Sequence, residues 1–384
     1  MTVPTRIQNF AADLTAIRRD LHEHPELGFQ EIRTAGIVAA ELERLGIEVT
    51  TGIGKTGVVG VLKGSRPGRT IGLRADMDAL PIHEQTNLPY ASKTPGVMHA
   101  CGHDAHTTML LGAARYLAET RDFAGTAVFI FQPAEEGLGG ARAMIEDGLF
   151  ERFPCDEIYG LHNSPFHAPG EVGVKPGPAM AGANFFDIRV TGKGAHAAMP
   201  ESSVDALMVA AGLVGQIQTI KARNVPSAER IVVSVTQIHA GAAYNVIPET
   251  ASLAGTVRYF DRETAAMVTE RMQALCDGAA AGFGCEVTLE MRNVFDVLEN
   301  DPTLSQAMLA AAAELVGEQA QEKSELVMGS EDFADMLQVV PGAYCTVGHG
   351  SGVALHNPGY VFDDASLPLG AALMARMVET RGAA

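Results

Sequence analysis

Two rhythms of apolar and polar positions alternate along the chain. From Ile17 to Leu45 apolar residues recur at helical spacing, interrupted at His24, Pro25 and Glu26. Short apolar runs at Val58–Leu62 and Thr70–Ala75 predict strands. A helix is expected over 104–119, a buried strand over Ala127–Phe131, and a further short strand over Ile158–His162. Strands that alternate with helices imply an α/β layer built on a largely parallel or mixed sheet.

From about 183 the style changes. Phe185–Val190 predicts a strand, and Val204, Leu207, Met208, Ala211, Val214 and Ile217 fall on one helical face. Strands follow at Ile231–Val235 and around Leu253, Val257 and Tyr259, then a helix at Glu263–Ala281 and a strand at Glu286–Glu290. The order β-α-β-β-α-β is that of a ferredoxin-like unit with its own core. Helices at about 302–316 and 331–338, a strand at 343–347 and a helix at 366–380 then resume the first style. The expected architecture is α/β: a mixed-sheet, helix-flanked domain formed by 1–182 and 296–384, with an inserted ferredoxin-like domain at 183–295.

Composition narrows the function. The 384 residues exceed the usual size of one core and are 47% hydrophobic. The formal net charge of -18 is spread along the chain. That disfavours nucleic acid and membrane surfaces, both polyanions, as partners. Five cysteines in a chain this long are no disulfide framework. The first residues lack a basic stretch followed by an apolar run, and no apolar run reaches 18 residues. A reducing cytoplasm is the expected location.

The densest chemistry lies at HACGHDAHTTM, residues 99–109. Cys101 and His103, one residue apart in a turn before a helix, can converge on one ion. His99 and His106 add imidazoles, placed either behind such ligands or in solvent. In FQPAEEG (131–137) the adjacent Glu135 and Glu136 lie in a non-helical stretch and can point to different places, one to a metal and one to a proton. His162 stands at the end of an apolar strand, where open α/β sheets carry their sites. His356 lies in a loop rich in Pro and Gly. Taken singly, each of these is as well read as an ordinary polar residue. Together they form a mixed N/S/O set suited to Zn²⁺, Co²⁺, Ni²⁺ or Mn²⁺, and five ligands fit two ions better than one.

With LHEHPELGFQE, RADMDALPI, MHACGHDAHTTMLLGAA, FQPAEEG, GLHN, TGKGAHAAMPE, YNVIPE, GTVR, MGSEDFA and LHNPGYVFDD in that order, most of the chain resembles the hippurate hydrolase and N-acyl-amino-acid amidohydrolase family of co-catalytic metallopeptidases. Aminoacylases and indole-acetyl-amino-acid hydrolases are relatives of the same kind. The resemblance implies amide hydrolysis of small N-acyl amino acids with two divalent metal ions per subunit. It implies Cys101, His103, Glu136, His162 and His356 as metal ligands, Glu135 as general base and acid, and Asp78 behind the ligands. It further implies His196 at the scissile carbonyl oxygen, and Asn245 and Arg258 at the substrate carboxylate. The inserted domain is expected to pair in a homodimer or homotetramer. In the wider family a metal-binding histidine stands two residues before the equivalent of Asp78. Here that residue is Asp76, which is therefore left out of the ligand set. Neighbouring readings are a dipeptidase or carboxypeptidase, an N-acetyl-diaminopimelate deacetylase, a Cys101 thiol hydrolase, and a metal-binding protein without catalysis.

Overall fold

The computed structural model describes residues 2–383. They divide into two compact units. The first comprises the chain up to Ala179, Leu298–Glu325 and the chain from Asp332 onward, and the second Met180–Val297 with Leu326–Glu331.

The first unit is built on an eight-stranded mixed sheet. Its strand order is Glu48–Ile53, Gly57–Lys63, Ala124–Gln132, Arg66–Asp76, Glu157–Ser164, Gly342–Gly348, Val172–Val174 and Ala320–Glu322. The four strands from Ala124–Gln132 to Gly342–Gly348 run parallel. Helices cover the sheet, so these strands are apolar on both faces, as in Leu73, Phe129 and Tyr159. Helix His103–Thr120 packs against the closing helix Leu367–Arg381. Helix Pro302–Val316 starts with proline in its first turn and an Asp301 side chain that accepts the Leu304 N–H. The strand Glu48–Ile53, absent from the sequence reading, is a sheet edge that buries only Ile53 and therefore carries little apolar signal.

The second unit is a four-stranded antiparallel sheet of order Ile231–Ala240, Thr250–Tyr259, Gly182–Thr191 and Glu286–Phe295. With helices Ala206–Arg223 and Arg262–Phe283 it has the ferredoxin-like topology and a separate core around Phe186, Ile188, Leu213 and Met272. The buried face of Ala206–Arg223 is not the expected one. Val209, Ala210, Leu213, Ile217 and Ile220 face inward, while Leu207 and Met208 are exposed. The sequence ALMVAAGLVGQI is apolar almost all round, so its period does not choose a face and the sheet does. Leu326–Glu331 also departs from the sequence boundaries, because the Ala181 N–H donates to the carbonyls of Val327 and Gly329.

Candidate metal centre

The parallel strands end together, and the chain leaves each of them carrying a polar side chain. Asp76 closes one strand and His162 lies near the end of its neighbour. The turn after Gln132 supplies Glu135 and Glu136. Facing them is the start of helix His103–Thr120, where His103 and His106 are one turn apart on the same side. Gly102 makes that entry possible. Its φ is 88°, and a Cβ there would lie 2.4 Å from the Asn163 amide nitrogen.

Donor atoms of Cys101, His103 and His162 lie within 4.8 Å of one another, and so do those of Cys101, Glu136 and His356. The two triads share Cys101. The Cys101 Sγ is 3.4 Å from His162 Nε2, and Glu136 Oε1 is 3.3 Å from His356 Nε2. His356 has a left-handed φ of 61°, and its N–H donates to the Ala100 carbonyl, which ties its loop to the segment that bears Cys101. Glu135, nearly buried, forms a third group with His103 and Glu136.

Asp78 contacts two members of this set. Its Oδ1 is 3.2 Å from His103 Nδ1, and its Oδ2 accepts the Glu136 N–H at 3.0 Å. Asp76 and His106 form a further pair at 2.6 Å. The Asn163 N–H donates to His106 Nε2, so Nδ1 carries the ring proton toward Asp76. The His106 ring stands edge-on to that of His162, 4.6 Å between centroids. Behind Asp76, Arg74 reaches Asp76, Asp332 and Gln132 with all four residues buried. His99 and His106 are both buried, which removes the solvated reading of these imidazoles. The sequence signal for this layer was a charged Arg74 inside the apolar run Ile71–Met77 and a carboxylate pair in MGSEDFA.

The residues fit a bound cation. His103 Nε2 and Glu136 Oε1 are buried, face each other at 3.9 Å, and neither makes a hydrogen bond. The protonation states show the same demand for positive charge. Burial and the Glu136 carboxylate push the Cys101 thiol up. Burial alone would lower His103, but Asp76 and Cys101 hold its proton and raise it. The Cys101 and Glu136 side chains raise His356 to about 10. His162, lowered to about 3 by burial and by His106, is neutral and so in the ligating form. The raised His103 and His356 reflect the negative groups around them, the same environment that favours a divalent ion.

The second unit holds the other candidate residues. His196 lies exposed in a two-stranded ribbon, paired with Val246, and the Ala197 N–H donates to the Asn245 carbonyl. Arg258 is half-buried on the four-stranded sheet and donates to the Ser330 hydroxyl. It forms no ion pair among the described residues, so it is not a surface salt bridge, and burial lowers its pKa.

A second buried cluster braces the helix that carries His103. Asp104 lies 2.8 Å from His22 Nδ1 and 3.5 Å from Arg18, which also reaches Asp364 at 2.6 Å. Burial lowers the His22 imidazole, but Asp104 overrides this and raises it to about 9. A folded pKa above the ordinary value of about 6.5 gives stability that is complete below that value and lost as the pH rises through 9. Stability from urea unfolding is therefore expected to fall by on the order of 2–3 kcal/mol between pH 7 and pH 10 relative to a His22→Gln variant. Parallel curves for the two proteins would exclude this role.

Comparison with known proteins agrees with this geometry. The model of peptidase family M20/M25/M40 matches residues 72–380. A hippurate hydrolase of Campylobacter jejuni is 43% identical over 98% of both chains. An N-acetylcysteine deacetylase of Bacillus subtilis is 41% identical over 96% of both. A solved Bacillus subtilis structure, described as a dinuclear metal-binding peptidase from the M20 family, superposes with a TM-score of 0.85. It is 38% identical and aligns over 97% of this chain and 98% of its own. With its strand-end cluster of thiol, imidazole and carboxylate donors, the chain belongs to peptidase family M20/M25/M40.

Proposed function

We propose that this protein hydrolyses the amide bond of N-acyl-L-amino acids, releasing a carboxylic acid and a free amino acid. The observation that carries the reading is Glu135 placed with His103 and Glu136, beside two donor triads that share Cys101. The similarity to a hippurate hydrolase and an N-acetylcysteine deacetylase over nearly the whole chain supports it.

Cys101, His103, Glu136, His162 and His356 would hold two divalent ions drawn from Zn²⁺, Mn²⁺, Co²⁺ and Ni²⁺. When bound, such ions lower the pKa of water toward about 7 and polarise a carbonyl. Asp78 orients His103 through its Nδ1, and fixes the Glu136 backbone. Glu135 takes a proton from the attacking water and delivers it to the departing amine nitrogen. His196 is assigned to the carbonyl oxygen as negative charge develops on it. Asn245 and Arg258 are assigned to the free carboxylate, for which a guanidinium without an acidic partner is suited.

A Cys101 thiol nucleophile is disfavoured because a thiol enzyme has no need for the paired Glu135 and Glu136 or for the distant His162 and His356 grouped with Cys101. Among the described residues no helix is long and apolar enough to cross a membrane. A cytoplasmic homodimer or homotetramer, paired through the inserted domain and independent of nucleic acid and membrane, completes the proposal.

The test is amino-acid release from hippurate, N-acetyl-L-amino acids, dipeptides and N-acetyl-diaminopimelate, before chelation, after it, and after adding back Mn²⁺ or Zn²⁺. Release from N-acyl amino acids should vanish on chelation, return with metal, and drop when the substrate carboxylate is capped as an amide. Preference for dipeptides or for N-acetyl-diaminopimelate would replace this substrate class. Full activity after exhaustive chelation would restore the thiol mechanism.

A further inference from the structure

Glu31 stands where a helix cap is expected, one residue before helix Ile32–Arg44, yet its carboxylate does not cap that helix. Glu26 does so instead, accepting the N–H groups of Arg33 and Thr34 at 2.9 and 2.8 Å. Glu31 is fully buried and turns its two oxygens elsewhere. One accepts the Ala134 N–H at 2.9 Å and the other the Thr56 hydroxyl at 2.6 Å. Ala134 is a buried non-glycine residue in the left-handed region, φ 53°, directly before Glu135. A residue with a Cβ keeps that conformation only where its surroundings impose it. Here the Ala134 N–H is held by Glu31 and its carbonyl accepts from the Gly140 N–H at 3.0 Å. Two residues on, the Glu136 N–H is held by Asp78. Glu135 therefore sits between two backbone anchors, each a buried carboxylate.

We propose that Glu31 is a positioning residue for the general base: by accepting the Ala134 N–H it imposes the backbone turn that aims Glu135 and Glu136 in different directions. Its catalytic consequence rests on the role of Glu135 given above, whereas its structural consequence does not. The carboxylate of Glu31 is held by the Thr56 hydroxyl and the Ala134 N–H and by none of the five ligand side chains, so its loss alters the aim of Glu135 while the donor set stays intact.

The experiment compares the metal-loaded full chain with Glu31→Ala and Glu31→Gln. Hydrogen–deuterium exchange is followed in peptides covering 132–140, with metal content per chain and steady-state kinetics on an N-acyl amino acid. Glu31→Ala is expected to speed exchange in that segment about tenfold, with peptides of the four-stranded unit unchanged. It should keep its metal and lower kcat about 10- to 100-fold at a KM within about twofold of wild type. Glu31→Gln keeps an acceptor for Ala134 and should stay within about threefold of wild type in kcat. Unchanged exchange in Glu31→Ala, loss of metal along with activity, or a Glu31→Gln variant as impaired as Glu31→Ala would each overturn the proposal. If Glu31→Ala does not fold, Thr56→Val carries the same readouts: faster exchange over 132–140 supports the proposal and unchanged exchange overturns it. If the wild type turns over no N-acyl amino acid, the substrate reading fails and the exchange data still decide the anchor.

Discussion

Glu135→Gln is expected to retain its full metal complement and lose turnover by about 10²- to 10⁴-fold, the range for removal of a general acid–base. The substitution keeps shape and one oxygen but removes the carboxylate assigned above to proton transfer. Glu135 is 6% exposed and grouped with His103 and Glu136, so its loss should leave the Cys101 triads unaltered. The drop should appear in kcat with KM little changed, because the group acts on a proton in flight and not on bound substrate. Metal analysis alongside single-turnover rates separates the two. A variant within threefold of the wild-type rate would remove Glu135 from the proton-transfer role, and a variant that loses metal would make it a ligand.

Arg74→Met should be the most destabilising single change away from the ligands. Arg74 is fully buried, with Asp76 at 2.7 Å, Asp332 at 3.1 Å and Gln132 at 2.8 Å. Burial opposes the charge on Asp76, yet the charges of His103 and Arg74 and the hydrogen bond from His106 hold its pKa well below the carboxylate range. Without the guanidinium, Asp76 and Asp332 each lose one buried, positively charged partner, at a cost of about 3–5 kcal/mol. Calorimetry of the metal-loaded protein should place the Tm lower by roughly 6–20 °C. Because Asp76 holds His106 at 2.6 Å, metal affinity should weaken as well. A loss under 1 kcal/mol would mean that the network is dispensable. In an Arg74→Met/Asp332→Asn double variant part of the loss should return, since one of the two buried carboxylates is then neutral.

The difference between these two residues marks how far the sequence could be read. Glu135 was assigned a role through the resemblance, because FQPAEEG stands in order among the other motifs; taken singly, its two adjacent carboxylates read equally well as an acidic turn. Arg74 was visible only as a charge inside Ile71–Met77, and nothing near it named its partner. Its contact with Asp332 spans 258 residues. Asp76 lay in the same position of doubt. The resemblance only set it aside from the ligand set, and the packed helix places His106 against it. Glu31 is the sharpest case. By sequence it is a residue at a helix start, and only the competing cap from Glu26 shows that its carboxylate is spent elsewhere.

By itself the sequence determined the elements that obey a strong local period, the split between an α/β style and a β-α-β-β-α-β insert, and the residue types of the centre. Those features depend on neighbours within a turn or a strand, and periodicity reports them directly. Tertiary structure alone decided the buried face of helix Ala206–Arg223, whose apolar positions run almost all round. It also decided the edge strand Glu48–Ile53, and the partners of Arg74, Asp76 and Glu31. These depend on which strands lie side by side. A parallel sheet fixes that order through crossovers that bring together residues far apart in the chain, and no local pattern encodes it.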